Sequence, residues 1–262
     1  MDVKVFNINA FSCSKFLGNP ACVVPLTKML PDALLLKIAQ ENAVAETAFF
    51  LIKDEKIFLR WFTPEVEMDL CGHATLATAH CLKTILKFSK NIFQFETLSG
   101  ILIVEFKDGL YHLNFPSRMP KKIKLPSLLQ ESINIPPAYV FKARDYVLIY
   151  ESEYDIKNIT INRVTFDQLS FGSGGVIVTA EGDSCDFVSR FFTPKASILE
   201  DPVTGSAHCS LIPFWAERLK KQKMLAKQLS LRGGILYCRN LGERVIISGK
   251  AITYSKGSFI IT

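Results

Sequence analysis

The strongest constraint on the fold of this chain is a motif that occurs twice. The sequence "RWFTPEVEMDLCGHATLATAH" covers residues 60–80, and "RFFTPKASILEDPVTGSAHCSL" covers residues 190–211. The glycines of the two copies, Gly72 and Gly205, are 133 positions apart in a chain of 262 residues. Because the spacing is about half of the chain, the repeat predicts two similar lobes rather than a solenoid of short units.

The boundary between the lobes is predicted near residue 115. The segment 115–127 reads "FPSRMPKKIKLPS" and is rich in proline and basic residues, as expected of an exposed connection. We therefore expect an N-terminal lobe over residues 1–115 and a C-terminal lobe over residues 116–262. The active site is expected in the cleft between them.

The fold class predicted from the hydrophobic pattern is α+β. Alternating apolar segments dominate each copy, and each copy carries about two helical patterns, so each lobe should be a barrel-like, mostly antiparallel sheet around a central helix. The central helices should begin near Gly72 and Gly205, and Pro213 predicts a kink or a short break in the second. The segment 159–170, "ITINRVTFDQLS", is matched loosely to the strands of the first lobe.

Composition excludes several classes of protein. The formal charge of +6 is concentrated in residues 117–126 and 217–228, without the aromatic residues of a nucleic-acid-binding face. No apolar run reaches the length of a membrane span, and the N-terminus does not resemble a signal peptide. The seven cysteines are odd in number and contain no CxxC pair, which favours reduced thiols and a cytoplasmic location.

The two helix starts are the predicted ligand-binding points. Free N–H groups and the helix dipole at Gly72 and Gly205 would attract an anion, and a pseudo-twofold axis would aim both ends at one cleft. This predicts a small carboxylate as substrate. The alternative is that both glycines only permit a tight turn from strand to helix.

Glu46 is the predicted general acid/base. It begins the apolar segment "ETAFF", whereas the matching segment of the second lobe, "FGSGGVIVTA" (171–180), has no carboxylate. A dry cleft would raise the pKa of such a carboxyl group towards neutrality, which suits a proton shuttle. The alternative, pairing with a nearby arginine, has equal weight on spacing alone.

Several of these segments resemble one known family. "GNPACVV" (18–24), "ENAVAETAFF" (41–50), the first motif and "EDPVTGSAH" (200–208) are similar, in order and spacing, to the PhzF-like phenazine-biosynthesis proteins. The resemblance spans most of the chain. It implies a diaminopimelate-epimerase-like fold and a cofactor-free isomerase that is often a homodimer.

The resemblance also implies roles for individual residues. The phenazine-pathway member isomerises a dihydro-hydroxyanthranilate by moving a proton between carbons. Its catalytic residues fall on Glu46, His73, Asp201 and Ser206 of this chain. The amides of Gly72 and Gly205 would bind the anion, and Asn19 would line the cleft.

Other interpretations of the same residues remain open. Cys71 could serve a thiol-assisted racemase or epimerase, although its counterpart Thr204 cannot form a thiolate. A non-catalytic protein that binds small acids on the same scaffold is also compatible with the repeat. The histidines and cysteines lack structural-zinc spacing, so we expect no metal site. His80 and His112 are expected to be packed, and His208 is unassigned.

Overall fold

The computed structural model describes residues 2–170, 172 and 174–261. The chain divides into two compact units: unit 1 contains residues 1–114 and 247–262, and unit 2 contains residues 115–246. The end of unit 1's first segment lies next to the boundary that the proline-rich segment predicts. Residues 247–262 were expected in the second lobe but belong to unit 1, because their final strand pairs with the first strand of the chain.

The chain forms seventeen strands and six α-helices over the described residues. The strands are β1 (Asp2–Ala10), β2 (Asn19–Leu26), β3 (Glu46–Lys53), β4 (Lys56–Phe62), β5 (Glu67–Met68), β6 (Ile92–Thr97), β7 (Gly100–Lys107), β8 (Leu110–Pro116), β9 (Lys121–Lys122), β10 (Tyr139–Lys142), β11 (Tyr146–Ile149), β12 (Val176–Glu181), β13 (Phe187–Phe192), β14 (Lys223–Gln228), β15 (Gly234–Asn240), β16 (Arg244–Gly249) and β17 (Ala251–Ile260). The helices are α1 (Asp32–Asn42), α2 (Gly72–His80), α3 (Ser127–Glu131), α4 (Glu153–Asn158), α5 (Arg163–Phe166) and α6 (His208–Leu219), and α2 continues into a π-helical turn, Cys81–Ile85.

The sheet of unit 1 runs in the order β17-β1-β2-β3-β4-β6-β7-β8, with β5 added along β4. The β2–β3 and β4–β6 pairs are parallel, and the others are antiparallel. Parallel neighbours need a crossover connection. Helix α1 provides the first crossover, and α2 provides the second.

Helix α2 is the central helix of unit 1. It packs against β1, β2, β3, β7 and β17, and all nine of its residues are buried. Because these strands come from both halves of the sheet order, the sheet must curve around the helix. Cys71 is the extended N-cap residue and Gly72 the first helical residue, so the predicted start is confirmed.

Unit 2 repeats the same order of pairings. Strands β10-β11-β12-β13-β14-β15 are joined by antiparallel, parallel, antiparallel, parallel and antiparallel pairs, as are β1-β2-β3-β4-β6-β7. Strand β9 pairs with β10 at the free edge. The internal repeat of the sequence therefore corresponds to a repeat of topology.

Helix α6 differs from its prediction in two ways. It begins at His208 rather than near Gly205, and a turn closed by the 3.0 Å hydrogen bond from His208 N to Gly205 O precedes it. It also runs through Pro213 without the short break that the sequence predicted as one of two outcomes. Proline cannot donate to the carbonyl four residues earlier, that of Cys209. The backbone N–H of Arg118 donates to this carbonyl instead, at 2.9 Å, so the acceptor is satisfied.

The segment 159–170 is not a strand of the sheet. It contains α5, whose N-cap is Asn162, with the side-chain oxygen accepting from the N–H of Val164 at 3.1 Å. Together with α4 it carries the chain from β11 to its parallel neighbour β12, as α1 does in unit 1. The crossover that the parallel pair β11 and β12 requires is helical here, and this requirement outweighed the local β propensity of the segment.

The structure also bears on two further predictions, the state of the cysteines and the lack of a membrane span. All seven cysteines are free thiols, and five of them are buried. Among the described residues, no helix has both the length and the apolar composition needed to cross a membrane. Phe171 and Ser173, from the segment compared with Glu46, lie outside the described residues.

Candidate active site

Unit 1 brings Asn19, Glu46 and His73 together. Asn19 and Glu46 are the first residues of the parallel neighbours β2 and β3, so both lie at the same end of the sheet. Gly72 and His73 form the start of α2, with Cys71 immediately before them. Three of the sequence-predicted residues and the first glycine therefore converge at one point.

His73 is the centre of this group. Its Nε2 lies 3.1 Å from Oε2 of Glu46, and its Nδ1 lies 3.2 Å from the amide nitrogen of Asn19 and 3.5 Å from Sγ of Cys71. The side chains of His73 and Glu46 are 5% and 15% exposed. Nε2 and Oε2 are both buried, and their close approach lacks hydrogen-bond geometry.

Burial and charge set the protonation states of this group. Burial opposes the charged imidazolium, but the sulfur of Cys71 beside Nδ1 and the negative charge of Glu46 beside Nε2 favour it and hold the pKa of His73 well above its usual value. Burial, assisted by the negative charge of Glu46, raises the pKa of Cys71. Cys71 is therefore a thiol at neutral pH, and Glu46 faces a group that favours the positive charge.

The same three side chains are also candidate metal ligands. Glu46, Cys71 and His73 offer ligand atoms that lie within 4.8 Å of one another. However, the sulfur approaches Nδ1 of the ring and the carboxylate approaches Nε2. One ion cannot sit on both nitrogens of one imidazole, so the arrangement fits proton transfer along the ring better than chelation.

Unit 2 places the other predicted residues at the turn before α6. Ser206 accepts a hydrogen bond from Nη2 of Arg144 at 3.0 Å, and Gly205 is buried in the turn. Asp201 accepts from the hydroxyl of Thr204 at 2.5 Å. The side chain of Gln228 fixes this loop, because its oxygen accepts from the N–H of Thr204 and its nitrogen donates to the carbonyl of Asp201, both at 2.8 Å.

Arg144 was missed by sequence reasoning. It lies two residues before β11, and its guanidinium also donates to Oδ1 of Asp145, at 3.2 Å. Each helix start thus receives a polar side chain from the beginning of the strand that precedes the crossover or from the residues just before it: Asn19 reaches His73, and Arg144 reaches Ser206. The segments around Asn19 and Arg144 share no motif, so only the topology reveals the correspondence.

The strand registers explain why Glu46 has no counterpart. Thr47 pairs with Phe62, and Val176 pairs with Phe192, the equivalent phenylalanine of the second motif. Gly175 therefore occupies the position of Glu46. A Cβ atom on Gly175 would lie 2.5 Å from the ring of Phe191 and 2.7 Å from the carbonyl of Phe192, so unit 2 has no room for a side chain there.

An arginine–glutamate ion pair occurs in both copies of the motif. Arg60 makes two 2.7 Å hydrogen bonds to Glu67, and Arg190 bonds Glu200 at 2.7 and 2.9 Å. Each carboxylate follows the FTP sequence of its own motif. These forked ion pairs fix the loop between the strand and the helix start, which is a structural role.

The remaining histidines are structural. The predicted packing of His80 is confirmed: it is buried between Tyr111, 3.2 Å away, and Thr253, 2.9 Å away. Nδ1 of His112 lies 2.7 Å from Ser248. His208 is completely buried, and its Nδ1 lies 2.9 Å from the carbonyl of Thr204. Burial lowers the pKa of both His80 and His208 to about 4, so both are neutral at pH 7.

Comparison with known proteins agrees with the fold. An uncharacterized isomerase of Pseudomonas aeruginosa is 44% identical over 98% of this chain and 99% of its own. A crystal structure of a phenazine biosynthesis protein of the PhzF family from Enterococcus faecalis has a TM-score of 0.95, 42% identity and full coverage of both chains. These names indicate an isomerase type of function.

The fold extends to a more distant group. A hydroxyproline epimerase from Agrobacterium vitis has a TM-score of 0.62 at 10% identity and covers 98% of this chain and 92% of its own, which is a likeness of fold alone. The model of the PhzC-PhzF family, described as phenazine biosynthesis-like protein, matches residues 8–257. With this match over nearly the whole chain, and with relatives above 40% identity along their full length, the protein belongs to the PhzC-PhzF family of phenazine biosynthesis-like proteins.

Proposed function

We propose that this protein is a cofactor-independent isomerase that moves a proton between two carbons of a small carboxylic acid through Glu46. The observation that carries the proposal is the contact between Glu46 and His73, 3.1 Å apart and largely buried at the start of α2. A carboxylate held against a buried imidazole is placed to act as a base in proton transfer.

The proposed step balances without an oxidant or reductant. The Glu46 carboxylate removes a proton from carbon, and the electron pair of the C–H bond passes into the conjugated acid as a delocalised anion. Glu46, now a carboxylic acid, returns the proton to another carbon of the same molecule. The imidazolium form of His73 and the free N–H groups at the start of α2 would stabilise the anion between the two proton transfers.

The other predicted residues receive supporting roles in the proposal. Asn19 bonds Nδ1 of His73 and so orients the ring that faces Glu46. Ser206 and the Gly205 amide would bind a carboxylate of the substrate, and Asp201 with Thr204 would hold the loop before α6. A homodimer and a small carboxylic acid as ligand stay predictions from the family resemblance.

A thiol-assisted racemase has less support. Such a mechanism needs a thiolate on each face of the substrate, but burial keeps Cys71 protonated, and Thr204 offers only a hydroxyl group. Cys71 contacts Nδ1 of His73, so its sulfur acts through the ring in our mechanism. A non-catalytic binding protein is the other alternative. It would show no turnover, whereas the proposed isomerase must show it.

Deuterium exchange tests the proposal without knowledge of the natural substrate. The protein is incubated in heavy water with a panel of small unsaturated and hydroxylated carboxylic acids, and incorporation is followed by proton NMR. We expect carbon-bound deuterium in at least one acid, lost in Glu46→Gln and retained in Glu105→Gln, a matched change on the exposed face of β7. No exchange with any acid would support a binding protein, and exchange that survives in Glu46→Gln would exclude Glu46 as the shuttle.

A further inference from the structure

The loop that precedes α6 is longer than its counterpart in unit 1. Gly72 is the eighth residue after Pro64, whereas Gly205 is the eleventh after Pro194. A longer loop loses more conformational entropy when it is fixed in one geometry, so it needs additional contacts. One side chain from a distant strand provides them. Gln228, the last residue of β14, is 1% exposed and lies against this loop.

The side-chain amide of Gln228 has a partner for each of its polar groups. Its oxygen accepts from the backbone N–H of Thr204 at 2.8 Å. Its nitrogen donates to the carbonyl of Asp201 at 2.8 Å and to the hydroxyl oxygen of Thr204 at 3.3 Å. A backbone N–H can only donate and a backbone carbonyl can only accept, so these partners leave one orientation for the amide.

This orientation determines the direction of the hydrogen bond between Thr204 and Asp201. The hydroxyl oxygen of Thr204 receives an N–H from Gln228 and lies 2.5 Å from Oδ2 of Asp201. A threonine hydroxyl has one proton to give. Because the side of the oxygen that faces Gln228 already receives a proton, the hydroxyl gives its own proton to Asp201. Oδ2 of Asp201 is therefore the acceptor of this bond.

The position of Gln228 is set by the sheet. It is the register partner of Ser189 in the parallel pair of β13 and β14, and of Gly234 in the antiparallel pair of β14 and β15. The register of β4 with β6 makes Thr97 its counterpart in unit 1. The hydroxyl of Thr97 donates to the carbonyl of Gly100 at 2.6 Å. Unit 1 therefore uses this position to close a turn, whereas unit 2 uses it to hold the loop before the helix.

We propose that Gln228 is a positioning residue for the isomerase reaction. It orients the Asp201 carboxylate through the Thr204 hydroxyl and thereby fixes the turn before α6. The role of this turn in substrate binding rests on the proposed function, whereas the direction of the hydrogen bonds rests on the geometry of unit 2 alone. Because Gln228 acts on the bound acid and not on the proton transfer itself, its loss should change KM rather than kcat.

The variant Gln228→Glu tests the proposal most sharply. It keeps the size of the side chain and the acceptor for the N–H of Thr204, but it replaces the donor with an acceptor. The hydroxyl proton of Thr204 would then turn to the new carboxylate, and Asp201 would lose its donor. With an acid that exchanges in heavy water, we expect KM to rise about tenfold or more and kcat to stay within about threefold. Gln222→Glu, the same change of charge at an exposed residue of unit 2, should alter neither.

Two variants of Thr204 test whether the effect passes through its hydroxyl. Thr204→Ser keeps the hydroxyl and should keep KM within about threefold, whereas Thr204→Val should raise KM as much as Gln228→Glu does. The double variant should have the KM of either single variant, because both changes break the same contact. If Gln228→Glu does not fold, the two threonine variants make the comparison. An unchanged KM in Gln228→Glu or Thr204→Val, or losses that multiply in the double variant, overturns the proposal.

A spectroscopic measurement tests the hydrogen bonds without turnover. In protein labelled with ¹³C, scalar coupling across the hydrogen bond should join the hydroxyl proton of Thr204 to the carboxyl carbon of Asp201. A coupling to the amide carbon of Gln228, or none to Asp201, would overturn the assigned direction. Glu46→Gln should retain the coupling. If no acid exchanges, the proposed function fails, and the coupling still decides the direction of the bond between Thr204 and Asp201.

Discussion

The two helix starts differ in chemistry although the strands that lead to them pair in the same order. In unit 1 a carboxylate, an imidazole and a thiol meet at the start of α2, whereas in unit 2 an arginine and a serine meet at the turn before α6. The forked Arg–Glu pairs that hold both loops are the same. The comparison shows that the two copies share a scaffold and differ in the side chains that they bring to the helix start.

The largest effect is expected when Glu46→Gln is compared with Asp201→Asn, which tests this asymmetry. We expect Glu46→Gln to lower kcat/KM for exchange at least about a thousandfold, within the range of general acid–base catalysis, because the amide cannot accept the proton. Asp201→Asn should cost much less, because Asp201 bonds Thr204 in unit 2. Steady-state kinetics on an acid that exchanges would measure both, and equal losses would break the assignment of proton transfer to unit 1.

A second test places alanine at the two equivalent strand positions, 175 and 46. Gly175→Ala should lower the free energy of unfolding by about 2–3 kcal/mol, because the added Cβ would clash with the ring of Phe191 and the carbonyl of Phe192. Glu46→Ala should lower it by less than Gly175→Ala does, since it removes side-chain atoms at a strand end and introduces no clash. Urea unfolding followed by circular dichroism measures both, and a tolerated alanine at 175 would contradict the steric explanation.

A third test compares the duplicated arginines. Arg190→Ala should cost about 3 kcal/mol, because Nη1 of Arg190 also donates to the carbonyls of Ile156 and Ile159 at 3.1 and 2.9 Å. Arg60→Ala should cost about 1–2 kcal/mol, since its additional partner is Asp32, whose side chain is 75% exposed. The same unfolding assay applies, and equal costs or the reverse order would contradict the added support that Arg190 gives to the two carbonyls.

Acid should weaken both units through their buried histidines. The pKa of His80 in unit 1 and of His208 in unit 2 is about 4, below the ordinary 6.5, so the unfolded chain binds protons first as the pH falls. Each should therefore remove about 1.4 kcal/mol of stability per pH unit between pH 6.5 and 4. Unfolding at pH 7, 6 and 5 should show a shallower slope in His208→Gln than in wild type.

His73 should have the opposite dependence on pH. Its folded pKa is raised, so its contribution to stability is complete below pH 6.5 and declines as the pH rises through the folded value. The stability difference between wild type and His73→Gln should therefore shrink towards alkaline pH. A difference that grows with pH would show that His73 is neutral in the folded protein.

The smallest expected effect belongs to Cys71→Thr, which copies Thr204 into unit 1. Exchange should fall by less than about tenfold, because the thiol is protonated and acts only through Nδ1 of His73. The same kinetic assay measures it, with the Glu46→Gln loss as the reference. A loss as large as that of Glu46→Gln would revive the thiol-assisted mechanism.

The repeat and the family motifs determined the largest part of what could be predicted. They gave two similar α+β lobes, the start of α2 at Gly72, and the grouping of Glu46 with His73, because glycine positions and apolar periodicity are local properties of the chain. They misplaced the start of α6 and the segment 159–170, since turn geometry and a parallel crossover depend on neighbouring strands.

Only the tertiary structure decided that Arg144 serves the second helix start and that Asn19 reaches His73 at the first. Asn19 and Arg144 lie in unrelated sequences, and they became comparable only when the pairing of β2 with β3 and of β11 with β12 placed them beside His73 and Ser206. The return of residues 247–262 to unit 1 likewise depends on the pairing of β17 with β1. A linear pattern records which residues are present, whereas hydrogen bonds between distant strands determine which of them meet.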